Sequence, residues 1–151
     1  DVTALRERHG FQGMKVLQFA FGETVHHPFL PHNFKDDNCI VFTGTHDNDT
    51  TAGWWKSIPE QERRFALDYC KAAPDADATW ELIALALESP ARYAAIPLQD
   101  LIGAGSEARY NTPGLVAESN WSWRALEHEF LPDTAYRLAM LSEAHGRAAK
   151  R

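Results

Sequence analysis

Residues 39 to 55 read CIVFTGTHDNDTTAGWW. The first five, Cys39-Ile40-Val41-Phe42-Thr43, form a short apolar run rich in β-branched and aromatic side chains, which predicts a buried strand. A polar cluster follows without a break: Gly44-Thr45-His46-Asp47-Asn48-Asp49-Thr50. Read as extended chain, the cluster alternates sides, with Asp47 and Asp49 on one face and His46 and Asn48 on the other. The whole of 43–55, through Trp54 and Trp55, reads as one loop at a strand end.

Upstream, Val2 to His9 reads as the tail of a helix stopped by Gly10. Met14 to Phe21, bounded by Gly13 and Gly22, reads as a strand buried on both sides. Residues 23 to 38, broken by Pro28 and Pro31, form a long loop, a length that usually marks function or disorder. Downstream, Pro59-Glu60-Gln61-Glu62 starts a helix, with Ser57 as candidate cap and Phe65, Leu67, Tyr69 and Cys70 as its apolar positions. A second helix is predicted from Thr79 to Ser89, with Trp80, Ile83, Ala84 and Leu87 along one face and Pro90 at its end. Tyr93 to Leu101 reads as a third strand, weakened by Pro97. After a Gly-rich loop, a helix runs from Trp123 to Glu129, breaks near Pro132, and resumes from Thr134 to Gly146 with Asp133 as candidate cap. Phe65, Tyr69 and Trp80 are assigned to the core.

Buried strands alternating with helices predict an α/β fold with a parallel sheet. Three such strands need cover on both faces and neighbours on both sides. They fit best as the last strands of a closed barrel, where active sites gather at the C-terminal strand ends. The His46–Asp49 cluster stands at such an end. Its carboxylates have the chemistry to act as acid, base or nucleophile at a sugar bond, or to stabilise an oxocarbenium-like state. The adjacent Trp faces suit packing against a sugar ring. The bare D-x-D spacing also suits a turn, a cap or a hard-cation site.

Other polar groups carry less. His26, His27 and His32 lack metal-ligand spacing and read as surface or hydrogen-bonding groups; His9, His128 and His145 read as helix-surface or helix-end groups. The 103–114 loop resembles a phosphate loop only loosely, lacking both the GK[ST] ending and the G-x-G-x-x-G spacing. Its Glu107, Arg109 and Asn111 read as an active-site rim or a plain turn. Trp121 and Trp123 read equally as core, and Arg124 as a partner for Glu127 or Glu107. Lys15 and Gln18 are polar within an apolar run, so each needs a partner or points to a polar mouth.

The chain has 151 residues and a formal net charge of -6. That length suits one domain. The acidic balance, without a Lys/Arg stripe, argues against nucleic acid as a partner. No apolar stretch reaches transmembrane length, so no membrane partner is expected. Cys39 and Cys70 suggest neither a metal site nor a disulfide framework, and with no signal peptide a reducing, cytoplasmic location is expected. The chain lacks an initiator Met and opens inside a helix, which suggests a piece of something longer. Oligomeric state is not readable.

On these residues the sequence resembles the C-terminal part of the catalytic barrel of 4-alpha-glucanotransferases, the amylomaltase or disproportionating-enzyme family of glycoside hydrolase family 77. GMKVLQFAFG (13–22) is similar to that family's sixth barrel strand, and TGTHDNDTTAGWW (43–55) to the loop after its seventh. QDLIGAGSEARYNTPG (99–114) and NWSWR (120–124) are similar to its eighth-strand region. The resemblance implies a (β/α)8 TIM barrel of which residues 1–151 supply about strands 6 to 8. It implies retaining transfer of alpha-1,4-glucan segments between maltooligosaccharides through a covalent intermediate, with no cofactor and no metal. Asp47 matches the family's transition-state stabiliser and His46 the neighbouring sugar-contacting histidine; Asn48, Asp49, Trp54 and Asn111 complete the expected substrate-binding set. The nucleophilic aspartate belongs to an RxDH motif and the acid/base glutamate to an EDLG motif, and neither motif occurs among these residues. Glu23 and Glu107 are poor stand-ins, so the isolated chain is expected to be inactive. Ile102 and Tyr110 stand where Leu and Met are more usual, changes expected to affect packing more than chemistry. The alternatives are an alpha-amylase-like hydrolase using the same His-Asp pair, and a non-enzymatic maltooligosaccharide-binding module.

Overall fold

The computed structural model describes residues 1–22 and 24–148; Glu23 lies outside them. Three parallel strands, β1 (Gly13–Val16), β2 (Cys39–Phe42) and β3 (Tyr93–Ala95), lie in sequence order. Met14 pairs with Ile40 and Ile40 with Tyr93, so these three side chains share one face of the sheet; Lys15, Val41 and Ala94 share the other. The α/β class and the parallel pairing follow the expectation.

Helix α1 (Val2–Arg8) precedes β1, and helices α2 (Thr51–Ser57), α3 (Glu60–Cys70) and α4 (Ala78–Glu88) connect β2 to β3. The main core forms between them and the Val41 face, where Leu17, Phe21, Leu30, Val41, Leu82 and Ala86 are buried. Phe65 and Tyr69 pack edge-on against Phe21. α4 is the central helix. Asp77 caps it through the backbone amides of Thr79 and Trp80, at 3.0 and 3.5 Å. Its Leu82, Leu85 and Ala86 enter the main core, while Trp80, Ile83 and Leu87 enter a second cluster with Leu138 and Leu141 of α6 (Pro132–Ala144). An almost wholly apolar helix is stable only when enclosed in this way. Arg137 of α6 covers the Trp80 ring at 4.2 Å, a cation–π contact.

The opposite sheet face has no helix layer among the described residues. Met14 and Tyr93 are 55% and 53% exposed there. This corrects the expectation of a first strand buried on both sides.

Several predicted boundaries also change. β1 ends at Val16, and Leu17–Phe19 turns as a 3-10 helix. That turn aims Leu17 and Phe21 into the core and Gln18 toward the strand ends. Residues 51–57 form α2 rather than loop. Ser57 does not cap α3; its hydroxyl donates back to the Trp54 carbonyl at 2.8 Å, and Pro59 precedes α3. The third strand has three residues, because Pro97 has no amide hydrogen for the ladder and takes the cap position of the short helix α5 (Leu98–Leu101). Residues 123–126 are irregular and only Glu127–Glu129 forms a 3-10 turn. Asp133 caps nothing; Leu131 holds the cap position and Pro132 opens α6.

Lys15 finds partners without a carboxylate. Its ammonium donates to the Pro28 carbonyl at 2.9 Å and lies 5.3 Å from the Phe29 and Phe34 rings, while burial pushes its pKa down. His32 hydrogen-bonds the Tyr69 hydroxyl at 2.7 Å and the Val25 carbonyl at 2.8 Å, fixing the 24–38 segment to α3. Cys39 and Cys70 are free, and burial raises the Cys70 thiol to about 12, so it stays protonated and unreactive at neutral pH.

Candidate active site

The site forms at the C-terminal ends of the strands because each strand there hands over to a polar segment. After β2, residues 44–50 do not continue as extended chain. Asn48 folds back: its side-chain oxygen accepts from the Thr45 amide at 3.0 Å and the Thr45 hydroxyl at 2.7 Å. With the Asn48 amide donating to the Thr45 carbonyl at 3.1 Å, this closes a turn at His46-Asp47 that leaves both side chains outward. Asp49 turns the other way. One carboxylate oxygen accepts from the Thr50 amide at 2.8 Å and the other from the Ser106 hydroxyl at 2.7 Å. Asp47 and Asp49 therefore do not share a face, as the extended reading expected.

Asp47 is the outward carboxylate. The Asn111 side-chain amide donates to it at 2.7 Å, and the His46 Nε2 lies 3.4 Å from its other oxygen. Both members of the His46–Asp47 pair are about half exposed, with relative side-chain areas of 56% and 51%. Arg109 braces the turn from beneath, donating to the Asp47 carbonyl at 2.7 Å and to the Asn111 carbonyl at 2.8 Å. Two segments 64 residues apart in sequence thus converge on one carboxylate.

The aromatic partner is not the expected one. Trp54 is only 9% exposed and packs against Phe21 and Trp55 in the main core. Its place on the inner face of α2 sets its ring in the core. Trp121 takes the outward position instead. It is 55% exposed, with its ring 5.2 Å from His46 and 6.4 Å from Tyr110. Its φ of 63° is a left-handed conformation that a bulky residue rarely adopts. The conformation is held by its own amide donating to the Tyr110 carbonyl at 2.6 Å and by Arg124 donating to its carbonyl at 3.0 Å. Arg124 thus serves the backbone rather than Glu127 or Glu107; Glu107 accepts from the Gly105 amide. Strain of this kind, about 1–3 kcal/mol, is typically kept where it places a working side chain.

A cleft of about 480 Å³ opens beside these groups, lined by Met14, Phe42, His46, Asp47, Ile96 and Tyr110 among others. It joins the polar strand ends to the open apolar sheet face, the mixture expected of a small-molecule site. Tyr110 lines this cleft and stacks on Trp121, so a residue whose change was expected to affect packing more than chemistry stands beside His46 and Asp47. A second hollow of about 500 Å³, between α3, α4 and residues 31–34, contains no strand-end residue.

Of the six candidates, Asp47, His46 and Asn111 come together. Asn48 and Asp49 are spent on shaping the loop, and Trp54 is core. Sequence reasoning underweighted Arg109 and Trp121. It also missed Asp100, 1% exposed, whose carboxylate lies beneath the loop. No group of three or more metal-ligating side chains gathers among the described residues, and no described helix is long and apolar enough to cross a membrane.

Comparison with known proteins identifies the family. A family model described as 4-alpha-glucanotransferase matches residues 1–128. The 4-alpha-glucanotransferase of Thermus thermophilus is 43% identical over 150 residues, covering 95% of this chain and 30% of its own length. That of Synechocystis is 42% identical over 147 residues, covering 97% and 29%. Among solved structures, amylomaltase from Streptococcus agalactiae in complex with acarbose superposes with a TM-score of 0.93 at 26% identity, over 98% of this chain and 30% of that one. The chain thus spans about 30% of the length of the relatives it matches, and within that span it belongs to the 4-alpha-glucanotransferase family.

Proposed function

We propose that residues 1–151 form the C-terminal portion, about strands 6 to 8, of the (β/α)8 catalytic barrel of a retaining 4-alpha-glucanotransferase. The outward Asp47 carboxylate, at the end of a parallel strand and held by Asn111 at 2.7 Å, carries the proposal. The open sheet face supports the barrel, since parallel sheets are normally covered on both sides. In the intact enzyme, a nucleophilic and an acid/base carboxylate from other strands make and resolve a covalent glycosyl intermediate. Asp47 contributes negative charge beside the sugar ring as it gains oxocarbenium character, and its oxygens accept from ring hydroxyls. His46 and Asn111 orient it and offer further hydrogen bonds to those hydroxyls. A reducing, cytoplasmic location fits the two free thiols.

Product analysis on maltotriose tests the reaction class. The intact enzyme is expected to yield glucose together with oligosaccharides longer than maltotriose. Glucose and maltose alone would instead establish an alpha-amylase-like hydrolase using the same pair.

The exposed Trp121, rather than Trp54, supplies the sugar platform. Trp121→Ala in the intact enzyme is expected to raise KM for maltotriose about tenfold, the loss of one ring-stacking contact of about 1–1.5 kcal/mol, with kcat within threefold. An unchanged KM would remove Trp121 from the site.

A further inference from the structure

Four buried polar side chains lie beneath the 44–50 loop, and three of them follow three different strands. Gln18 comes after β1, Thr43 after β2 and Asp100 after β3; the fourth, Thr51, opens α2. They are 5%, 0%, 1% and 0% exposed. The Asp100 carboxylate accepts from the Thr43 hydroxyl at 2.5 Å and, on the same oxygen, from the Thr51 hydroxyl at 2.8 Å. Its other oxygen accepts from the Thr51 amide at 2.7 Å. The Gln18 amide donates to the Thr51 hydroxyl at 3.3 Å and to the Asp49 carbonyl at 3.0 Å.

Thr43 and Thr51 are the residues on either side of the loop. One carboxylate therefore holds both of its ends, and Gln18 holds its last turn. Every donor in the network has an acceptor, and losing the Thr43 hydroxyl removes one of the two hydrogen bonds on that Asp100 oxygen and the tie to the first end of the loop. The fit is close. A Cβ on Gly44 would stand 2.6 Å from the Gln18 amide nitrogen, so a larger residue there would displace the Gln18 side chain from its hydrogen bonds.

We propose that Asp100 is a positioning residue for the reaction, its carboxylate fixing both ends of the loop so that His46 and Asp47 stand where the sugar ring develops charge. This rests on the assignment of Asp47 as transition-state stabiliser. A loop freed at its ends still binds the glucan through other contacts, but presents Asp47 in many orientations. The deficit then falls on kcat rather than KM. A merely structural Asp100 would lower the melting temperature and leave the turnover of folded enzyme unchanged.

The test uses the intact enzyme on maltotriose, with kcat, KM and thermal unfolding measured together. Thr43→Ser keeps the hydroxyl and is expected to hold kcat within about twofold, whereas Thr43→Val removes one arm and lowers kcat roughly tenfold with KM within threefold. Asp100→Asn, which puts an amide hydrogen where an acceptor is needed, is expected to lower kcat about a hundredfold with a similarly small change in KM. If Asp100→Asn fails to fold, the Thr43 pair decides. Wild-type kcat in Thr43→Val, or a loss in KM alone, overturns the proposal. Asp47→Asn run alongside separates the two ideas: if it stays active the site assignment has failed, and if it is inactive while Thr43→Val is normal only the positioning role has.

Discussion

Asp47→Asn in the intact enzyme is expected to lower transfer on maltotriose by about a hundred- to a thousandfold, the range seen when a preorganised electrostatic stabiliser is removed. The substitution is nearly isosteric, and the Asn oxygen can still accept from the Asn111 amide, which reaches Asp47 at 2.7 Å. What disappears is the negative charge opposite the ring carbon as it becomes cationic. Folding should barely change. The side chain is about half exposed, and its one short protein partner is retained; such sites usually shift stability by less than about 0.5 kcal/mol. The turn itself does not depend on the carboxylate. Arg109 holds the Asp47 carbonyl and Asn48 closes the turn onto Thr45. Transfer and thermal unfolding measured together check the prediction: activity within tenfold of wild type would refute the assigned role, and a collapsed melting temperature would make Asp47 structural.

The legible part of the sequence was the part whose physics is local. Cys39–Phe42 is a short apolar run in a βα-type sequence, and it is a central parallel strand. Asp77 before an apolar helix is a cap by type and position, and Asp133 looked the same. The difference is Pro132, whose fixed φ made it the first helical residue and left Asp133 inside the turn. Helix α2 was hidden by composition. Thr, Gly and Trp are weak helix formers, and only the Thr50 hydroxyl capping the Gly53 amide at 3.1 Å and the Trp54–Ile58 spacing signalled it. Missing that helix exposed Trp54 on paper, although its ring belongs to the core. Asp100 was legible only as a charge in an apolar stretch. Its partners are 49 and 57 residues away, and no periodicity reports a contact that the fold alone creates.

The 151-residue chain produced alone is expected to give no measurable glucose release or transfer from maltotriose. Retaining chemistry needs two carboxyl groups about 5–5.5 Å apart across one bond, with a third charge in support. Among the described residues at the site Asp47 is the outward carboxylate: Asp49 is held by Thr50 and Ser106, and Asp100 is buried beneath the loop. Glu107 is engaged with the Gly105 amide. The same chain should also betray its uncovered sheet. Met14 and Tyr93 are more than half exposed on a face that runs into the cleft with Phe42 and Ile96, and contiguous apolar surface of that kind binds hydrophobic dyes and promotes association. Dye fluorescence well above that of the intact enzyme, together with a blank transfer assay, is the expected pair of results. Transfer by the isolated chain would mean that these residues hold a complete set of carboxylates, and the barrel reading would fall with it. A monomeric, dye-negative but inactive chain would mean that the open face closes on itself, leaving the missing carboxylates as the sole cause of inactivity.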